Sequence, residues 1–169
     1  PQAGIVGIIG PNGAGKSNFI SLFKFLNQIA EGRLQIYVQK SGGANNFLYH
    51  GNKITNSIEI ELNFGRNGYW CKLTPTDNDS LLFEGEGCSF LGGGYSQPYT
   101  VSIFYDGKES GLERHNTKRV VTHVLSSILS WRVYHFHDTS DTAPMKRTCE
   151  LSDNERLRPD ASNLAAYLY

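Results

Sequence analysis

Apolar residues follow two different periods along this chain, and the changes between them divide it into three stretches. In the first stretch they recur at i, i+3, i+4 and i+7, the spacing that places side chains on one face of an α-helix. These residues are Phe19, Leu22, Phe23 and Leu26. We therefore predict a helix over residues 18–30. Gly32 predicts its end, because glycine readily adopts the left-handed conformation that terminates helices.

The second stretch, residues 33–112, is dominated by a period of two. Ile58–Phe64 alternates between apolar and polar residues without error, which predicts a half-buried strand. Asn67-Gly68 predicts a hairpin turn, and Asp106-Gly107 predicts a second turn. The other strand candidates are Leu34–Val38, Tyr69–Leu73, Ser80–Glu84 and Thr100–Tyr105, with a loop over residues 40–52. This pattern predicts an antiparallel β region rather than a series of βαβ units.

In the third stretch, residues 113–169, the helical period returns. The apolar positions of the predicted helix are Val121, Val124, Leu125 and Ile128. Asn116 is its candidate N-cap. Trp131–Phe136 predicts a buried strand, which a loop over residues 137–140 follows. A last helix is predicted after Pro159-Asp160, with Leu164, Ala165 and Leu168 on one face.

A glycine-rich motif precedes the first helix. Residues 10–17 read Gly-Pro-Asn-Gly-Ala-Gly-Lys-Ser and fit G-x-x-x-x-G-K-[ST], the phosphate-binding loop of P-loop nucleotidases. The apolar run Ile5–Ile9 predicts a strand that leads into this loop, so strand, loop and helix follow in the order that the motif requires. The candidate nucleotide-binding residues are Asn12, Gly13, Ala14, Gly15, Lys16, Ser17 and Asn18.

The chemistry of a triphosphate explains these residue types. Its negative charges are best held by backbone N–H groups that point inward together, and glycines keep side chains out of their way. The following helix offers its free N-terminal N–H groups and its dipole to the same anion. Lys16 adds a positive charge for the β- and γ-phosphates, and the Ser17 hydroxyl is placed to ligate Mg²⁺. The motif therefore predicts ATP and Mg²⁺ as cofactors.

Composition narrows the class of protein. The 169 residues carry 16 basic and 16 acidic side chains, so the balance predicts no general attraction to nucleic acid or membranes. No apolar run reaches the length of a membrane-spanning helix, so no membrane partner is expected. Cys71, Cys88 and Cys149 lack C-x-x-C spacing and are interpreted as reduced thiols of a cytoplasmic protein.

Hydrolysis requires a second acidic group on Mg²⁺ and a residue that orients water, and neither is evident. Asp106 ends an apolar run but is followed by Gly107, and Asp138 ends a run that two histidines interrupt and that no Glu follows. Two hypotheses remain. The chain is either a complete small P-loop protein, such as a nucleotide kinase, or the front part of a larger ATPase. The antiparallel β region favours the ATPase, and the start at Pro1 and the end at Tyr169 predict truncation at both ends.

The loop and two later segments resemble a known family. Residues 10–18 resemble the phosphate loop of ABC-type ATPases of the SMC, RecF and OLD group, in which Pro-Asn-Gly and the Asn after Ser17 are typical. Residues 134–140 (Tyr-His-Phe-His-Asp-Thr-Ser) and 157–166 (Leu-Arg-Pro-Asp-Ala-Ser-Asn-Leu-Ala-Ala) resemble those of bacterial AAA-type ATPases related to that group. The β region between these segments resembles that family only in being antiparallel β structure, and not in its sequence.

The resemblance implies an α/β fold, namely a P-loop NTPase (ABC/SMC-like) N-terminal lobe with an antiparallel β subdomain. The single lobe would span residues 1–169: strand, loop and helix over 1–32, mainly antiparallel β over 33–112, then helix, strand and C-terminal helix over 113–169. A second lobe would carry the signature sequence, the Mg²⁺ acid and the catalytic glutamate. Two such heads form a homodimer around two ATP molecules, and relatives act on DNA in repair, chromosome organisation or phage defence.

Asp138 stands near the position where ABC-type relatives place a Gln, so the resemblance makes it a candidate to touch Mg²⁺ or its water. The alternative, which its neighbours favour, is that Asp138 caps the turn with Thr139 and Ser140. Three function classes therefore remain: an ATPase lobe that turns over little by itself, a self-contained small-molecule or nucleotide kinase, and a nucleotide-binding switch without chemistry.

Overall fold

The computed structural model describes residues 7–94, 96–134 and 140–169. The chain divides into two compact units, Pro1–Trp131 and Arg132–Tyr169, and each is described by itself. Within the described residues, no helix is both long enough and apolar enough to cross a membrane.

The first unit contains a four-stranded antiparallel sheet whose strands pair in chain order. The strands are β1 (Ile58–Phe64), β2 (Asn67–Pro75), β3 (Leu81–Phe90) and β4 (Tyr99–Ser102). The prediction of an antiparallel β region is therefore confirmed, and β1 has the bounds that its alternation predicts. The strand predicted over residues 69–73 lies within β2, which is longer at both ends.

The hairpin between β1 and β2 turns two residues earlier than the Asn67-Gly68 signal predicts. Asn67 already pairs with Phe64 in the ladder, so the connecting residues are Gly65 and Arg66. Gly65 has φ 69°, and glycine at the first position of a two-residue loop matches the twist of the flanking strands. The prediction was wrong about the turn residues because Gly65 adopts positive φ more easily than Asn67.

The later strands differ from their predicted bounds. β3 extends beyond Glu84 to Phe90. Glu84 forms a β-bulge: Lys72 pairs with Gly85 and Leu73 pairs with Phe83, so Glu84 between them has no partner in the ladder. β4 ends at Ser102, three residues before the predicted end. The turn at Asp106-Gly107 is present: Gly107 has φ 79°, and the Asp106 carboxylate accepts a hydrogen bond from the N–H of Lys108.

Helix α1 spans Lys16–Ala30, in agreement with the helical period. Gly32 ends it with φ 62°, donating its N–H to the carbonyl of Ile29, while the N–H of Arg33 reaches Gln28, which is the Schellman arrangement. The buried residues differ from the predicted face. Phe19 is 47% exposed, whereas Phe25 is buried, because only the C-terminal half of the helix packs into the core.

The predicted strand Leu34–Val38 is instead helix α2 (Leu34–Lys40). Leu34 and Val38 lie one helical turn apart and are both buried, so the apolar residues of this segment also suit a helix. Its start is held by Glu109, whose carboxylate accepts hydrogen bonds from the N–H groups of Leu34 (2.7 Å) and Gln35 (3.0 Å). That partner is 75 residues away in sequence, which explains why the local pattern was misread. A short 3₁₀ turn, Ala44–Phe47, lies within the predicted loop.

Helix α3 spans Arg119–Ser130 and buries all four residues of its predicted apolar face. Asn116 is not its N-cap. The cap position belongs to Lys118, which makes no capping side-chain bond, and Asn116 contributes only its carbonyl, which accepts from the Thr122 hydroxyl. The capping prediction was wrong because the helix begins three residues after Asn116.

Helices α2 and α3 pack against the sheet, α1 packs against α2 and α3, and together with the sheet they form the core. Trp131 closes one side of this core, its ring lying 5.1 Å from that of Phe23 in α1 and 5.7 Å from that of Phe64 in β1. Residues 131–134 form no strand, contrary to the prediction, and Arg132 and Tyr134 are exposed. Residues 135–136 of the predicted strand lie outside the described residues.

A buried carboxylate fixes the segment after β4 onto the sheet. Glu86 in β3 is 1% exposed and accepts hydrogen bonds from the Tyr69 hydroxyl (2.7 Å), the Ser110 hydroxyl (2.6 Å) and the N–H of Gly111 (2.8 Å). Burial raises the pKa of Glu86 above its usual range, although the three donors act in the opposite direction.

The described part of the second unit contains a 3₁₀ turn, Pro144–Lys146, and helix α4, Leu164–Leu168. Asn163, fully buried, organises the chain before α4: its side chain accepts from the N–H of Arg158 and donates to the carbonyls of Asp153 and Arg156. The last helix is thus present, but the predicted face was wrong because Ala166 is its buried residue.

Candidate functional site

The loop ahead of α1 is tightly folded. The N–H of Ala14 donates to the carbonyl of Pro11 (3.2 Å), and α1 begins at Lys16. Gly13 has φ 85° and Gly15 has φ 84°, whereas Ala14 between them has negative φ. Turns in which successive N–H groups point to one side are the arrangement that binds anions in proteins, and glycines at positive φ make such a turn accessible.

These N–H groups are not used within the fold. Among the described residues, no group accepts a hydrogen bond from the backbone N–H of Gly13, Gly15, Lys16, Ser17 or Asn18, and the first bond at this end of α1 runs from Phe19 to Gly15. Unpaired N–H groups at a helix start require a capping side chain, water or a ligand, and α1 has no capping side chain. The loop therefore offers a set of donors to an anion.

Lys16 lies across the loop. Its Nζ donates to the carbonyls of Gly10 and Pro11, both at 2.7 Å. Both acceptors belong to the glycine-rich loop, so the ammonium group lies at the same loop as the unpaired N–H groups. The predicted residues Asn12, Ala14 and Asn18 are exposed, so a ligand has access to them.

The Ser17 hydroxyl fits the predicted role at Mg²⁺. It lies in the first turn of α1, is exposed, and has no hydrogen-bond partner among the described residues. One protein oxygen together with phosphate oxygens and water is a common set of Mg²⁺ ligands. The described residues contain no cluster of three or more His, Cys, Asp or Glu side chains suited to a metal, and the other candidate, Asp138, lies outside them.

The strand predicted over Ile5–Ile9 is not found where the structure describes it. Residues 7–9 form no strand, and Ile8 and Ile9 are 52% and 98% exposed, while residues 5 and 6 lie outside the described part. Each of the four strands described above pairs antiparallel with its neighbours, and residues 7–9 pair with none of them. The structure therefore has mixed helix and sheet without showing the parallel strand that precedes a phosphate loop.

A groove of about 430 Å³ opens beside the first two turns of α1, and sequence reasoning did not find it. It reaches from Asn18 to the aromatic residues Phe25, Tyr37 and Phe47. Its walls come from α1, α2, the 3₁₀ turn and β1, which are separated in sequence. Neither a period nor a motif joins these residues, so no local signal marks the groove.

A second, larger groove of about 660 Å³ lies on the sheet face that the helices leave open. Trp70, 41% exposed, lies there against Gly85 and Gly87, where a side chain would collide with its ring. Lys72 beside it contacts Glu84 at 3.0 Å, which raises the pKa of Lys72. Glu59 and Glu61 also line this groove, and their charges disfavour an anionic ligand.

Comparison with known proteins gives one finding. Residues 5–68 match the family model described as "AAA domain, putative AbiEii toxin, Type IV TA system". This is well under half of the 169 residues, but it covers the loop and α1. The match indicates a P-loop AAA-type ATPase domain and, with it, nucleotide binding. Neither the curated proteins nor the solved structures searched contain a match to the chain.

Proposed function

We propose that residues 12–18 bind the phosphates of ATP and that Ser17 holds the accompanying Mg²⁺. The observation that carries this proposal is the set of unpaired N–H groups at the start of α1, together with the Lys16 ammonium group held at the carbonyl of Gly10 in the same loop. The family match over residues 5–68 supports it independently. Bound Mg²⁺ supplies neutralisation of phosphate charge, while the chain's own N–H groups and Lys16 orient the phosphates.

We further propose that the chain is one lobe of an ABC/SMC-like head, which hydrolyses ATP in the intact protein. A second lobe would provide the remaining Mg²⁺ acid and the catalytic glutamate, and a second head would complete the site. A role with DNA, in repair, chromosome organisation or phage defence, rests on the resemblance of residues 10–18 and the two later segments. The exposed positions of Ile9 and Phe19 beside the loop suit a chain that meets a further lobe there.

No observation favours the kinase. A small P-loop kinase alternates strands and helices around a parallel sheet, whereas the strands of the described residues are all antiparallel.

Nucleotide binding is tested by isothermal titration of the chain with Mg·ATP, comparing Lys16→Ala with Lys53→Ala. Hydrogen bonds to charged groups are worth about 1.5–3 kcal/mol, so Lys16→Ala is expected to weaken binding about 10- to 100-fold. Lys53 is exposed and distant in sequence from the loop, so its variant is expected to bind as the wild type does. Equal affinities for the two variants would contradict the phosphate site.

The single-lobe proposal is tested by a steady-state ATPase assay of the same chain. We expect little or no turnover, because the sequence shows neither a clear second Mg²⁺ acid nor a catalytic glutamate. Robust turnover that Lys16→Ala abolishes would refute the view that the site needs a second lobe.

A further inference from the structure

We propose that the groove beside α1, lined by Asn18, Ser21, Leu22 and the aromatic residues Phe25, Tyr37 and Phe47, receives the base and ribose of the nucleotide. This inference rests on the proposed function, since the phosphates must first lie on the loop. It assigns the base to residues 18–47 of the first unit.

The groove and the phosphate site share a residue. The backbone N–H of Asn18 is the last of the unpaired donors at the start of α1, and the Asn18 side chain begins the groove. Ser21 and Phe25 follow one and two turns later, about 5 and 10 Å further along the helix axis. A nucleotide whose phosphates contact these N–H groups can therefore extend along α1 into the groove.

The lining suits a nucleoside. The ring centroids of Phe25 and Phe47 lie 5.2 Å apart, and those of Tyr37 and Phe47 lie 5.8 Å apart. Tyr37 and Phe47 are half-buried, so part of each of these two rings faces the groove. Half-exposed aromatic rings bind the flat face of a base by stacking. The Ser21 and Ser41 hydroxyls have no hydrogen-bond partner among the described residues and are free to bind polar edges of base or ribose.

Charge separates this groove from the larger one. No charged side chain lines the groove beside α1, whereas Glu59 and Glu61 line the groove on the open sheet face. A neutral, partly aromatic surface next to a cluster of N–H donors fits a neutral base attached to an anionic tail. The larger groove also contains an aromatic ring, that of Trp70, but its two carboxylates outnumber the one cation, Lys72, and so disfavour phosphate.

The experiment fills the groove without changing the loop. Ser21→Trp places a large side chain at an exposed position on the groove wall, and Ile20→Trp places the same side chain one residue away on α1, at a position outside the lining. Both variants are titrated with Mg·ATP and with inorganic tripolyphosphate plus Mg²⁺, which carries the phosphates alone. We expect Ser21→Trp to weaken ATP binding at least tenfold and to leave tripolyphosphate unchanged, while Ile20→Trp changes neither.

Two results overturn the inference: equal ATP affinities for the two tryptophan variants, or a parallel loss of ATP and tripolyphosphate in Ser21→Trp. A wild-type chain that binds neither ligand contradicts the proposed function instead. Photolysis of the wild-type chain with 8-azido-ATP gives a test that needs no variant. We expect the label in peptides covering residues 18–25 or 34–48, and a label confined to the sheet face places the base elsewhere.

Discussion

Replacement of Glu86 tests whether its buried carboxylate stabilises the first unit through the three hydrogen bonds that it accepts. Glu86→Gln keeps an oxygen that accepts a hydrogen bond from the N–H of Gly111. Its NH₂ group can donate hydrogen bonds to the hydroxyl oxygens of Tyr69 and Ser110. Glu86→Met has a similar size but offers none of the three donors a strong acceptor. The pair therefore separates hydrogen bonding from the filling of space.

The expected loss follows from the donors. A buried donor left without a partner costs about 1–3 kcal/mol, and the backbone N–H of Gly111 cannot rotate away as the two hydroxyls can. We expect Glu86→Met to lower the free energy of unfolding by about 3–6 kcal/mol, which is a large part of the 5–15 kcal/mol typical of a domain. Glu86→Gln is expected to remain within about 1 kcal/mol of the wild type.

Urea unfolding followed by tryptophan fluorescence measures this difference. Both tryptophans, Trp70 and Trp131, belong to the first unit, so the signal reports the unit that contains Glu86. With a slope of about 2 kcal/mol per molar urea, the midpoint of Glu86→Met should fall about 1.5–3 M below that of the wild type. Midpoints for the Met and Gln variants that differ by less than about 0.5 M would show that the three hydrogen bonds contribute little.

Three further predictions follow from single features of the fold. Because burial raises the pKa of Glu86, the folded protein keeps this proton to higher pH than the unfolded chain does. The wild type should therefore lose stability relative to Glu86→Gln as the pH rises above about 4.5. Urea midpoints of both proteins, measured between pH 4 and 8, test this, and a constant difference between them would exclude it. Gly32→Ala should cost about 1–2 kcal/mol from the strain of φ 62° alone, since an added Cβ meets no atom there, and an unchanged thermal midpoint would contradict it. Burial raises the pKa of Cys71 and Cys88 to about 12. We therefore expect only Cys149 to react rapidly with a thiol reagent in the native protein, and all three cysteines to react rapidly in urea. Two or more rapidly reacting thiols in the absence of urea would be evidence against the buried positions of Cys71 and Cys88.

Several elements could be predicted from the sequence because their signals are local. The face of α3 and the alternation of β1 repeat often enough to define one element each, and both were found with their expected character. The Gly32 stop of α1 was also found, because the positive φ there suits glycine. The phosphate-loop residues remain a prediction as binding residues, although the loop has the unpaired donors that the motif requires.

Other features could not be predicted because their causes lie far apart in the chain. Helix α2 depends on Glu109, and the buried acid Glu86 depends on Ser110 and Gly111 after the last strand. The exposure of Phe19 depends on which part of α1 reaches the core. In each case the local sequence of the segment contains no pattern that predicts its distant partner.

The sequence by itself therefore determined the glycine-rich loop with its positive φ angles, α1, α3 and the antiparallel character of the sheet, since short-range periodicity and glycine conformation are encoded within a few residues. Only the tertiary structure decided that residues 34–40 form a helix, that Gly65 rather than Asn67 begins the hairpin turn, and that a neutral aromatic groove lies next to Asn18. The physical reason is that a groove or a distant cap consists of groups from several elements, and their meeting depends on how the whole core packs.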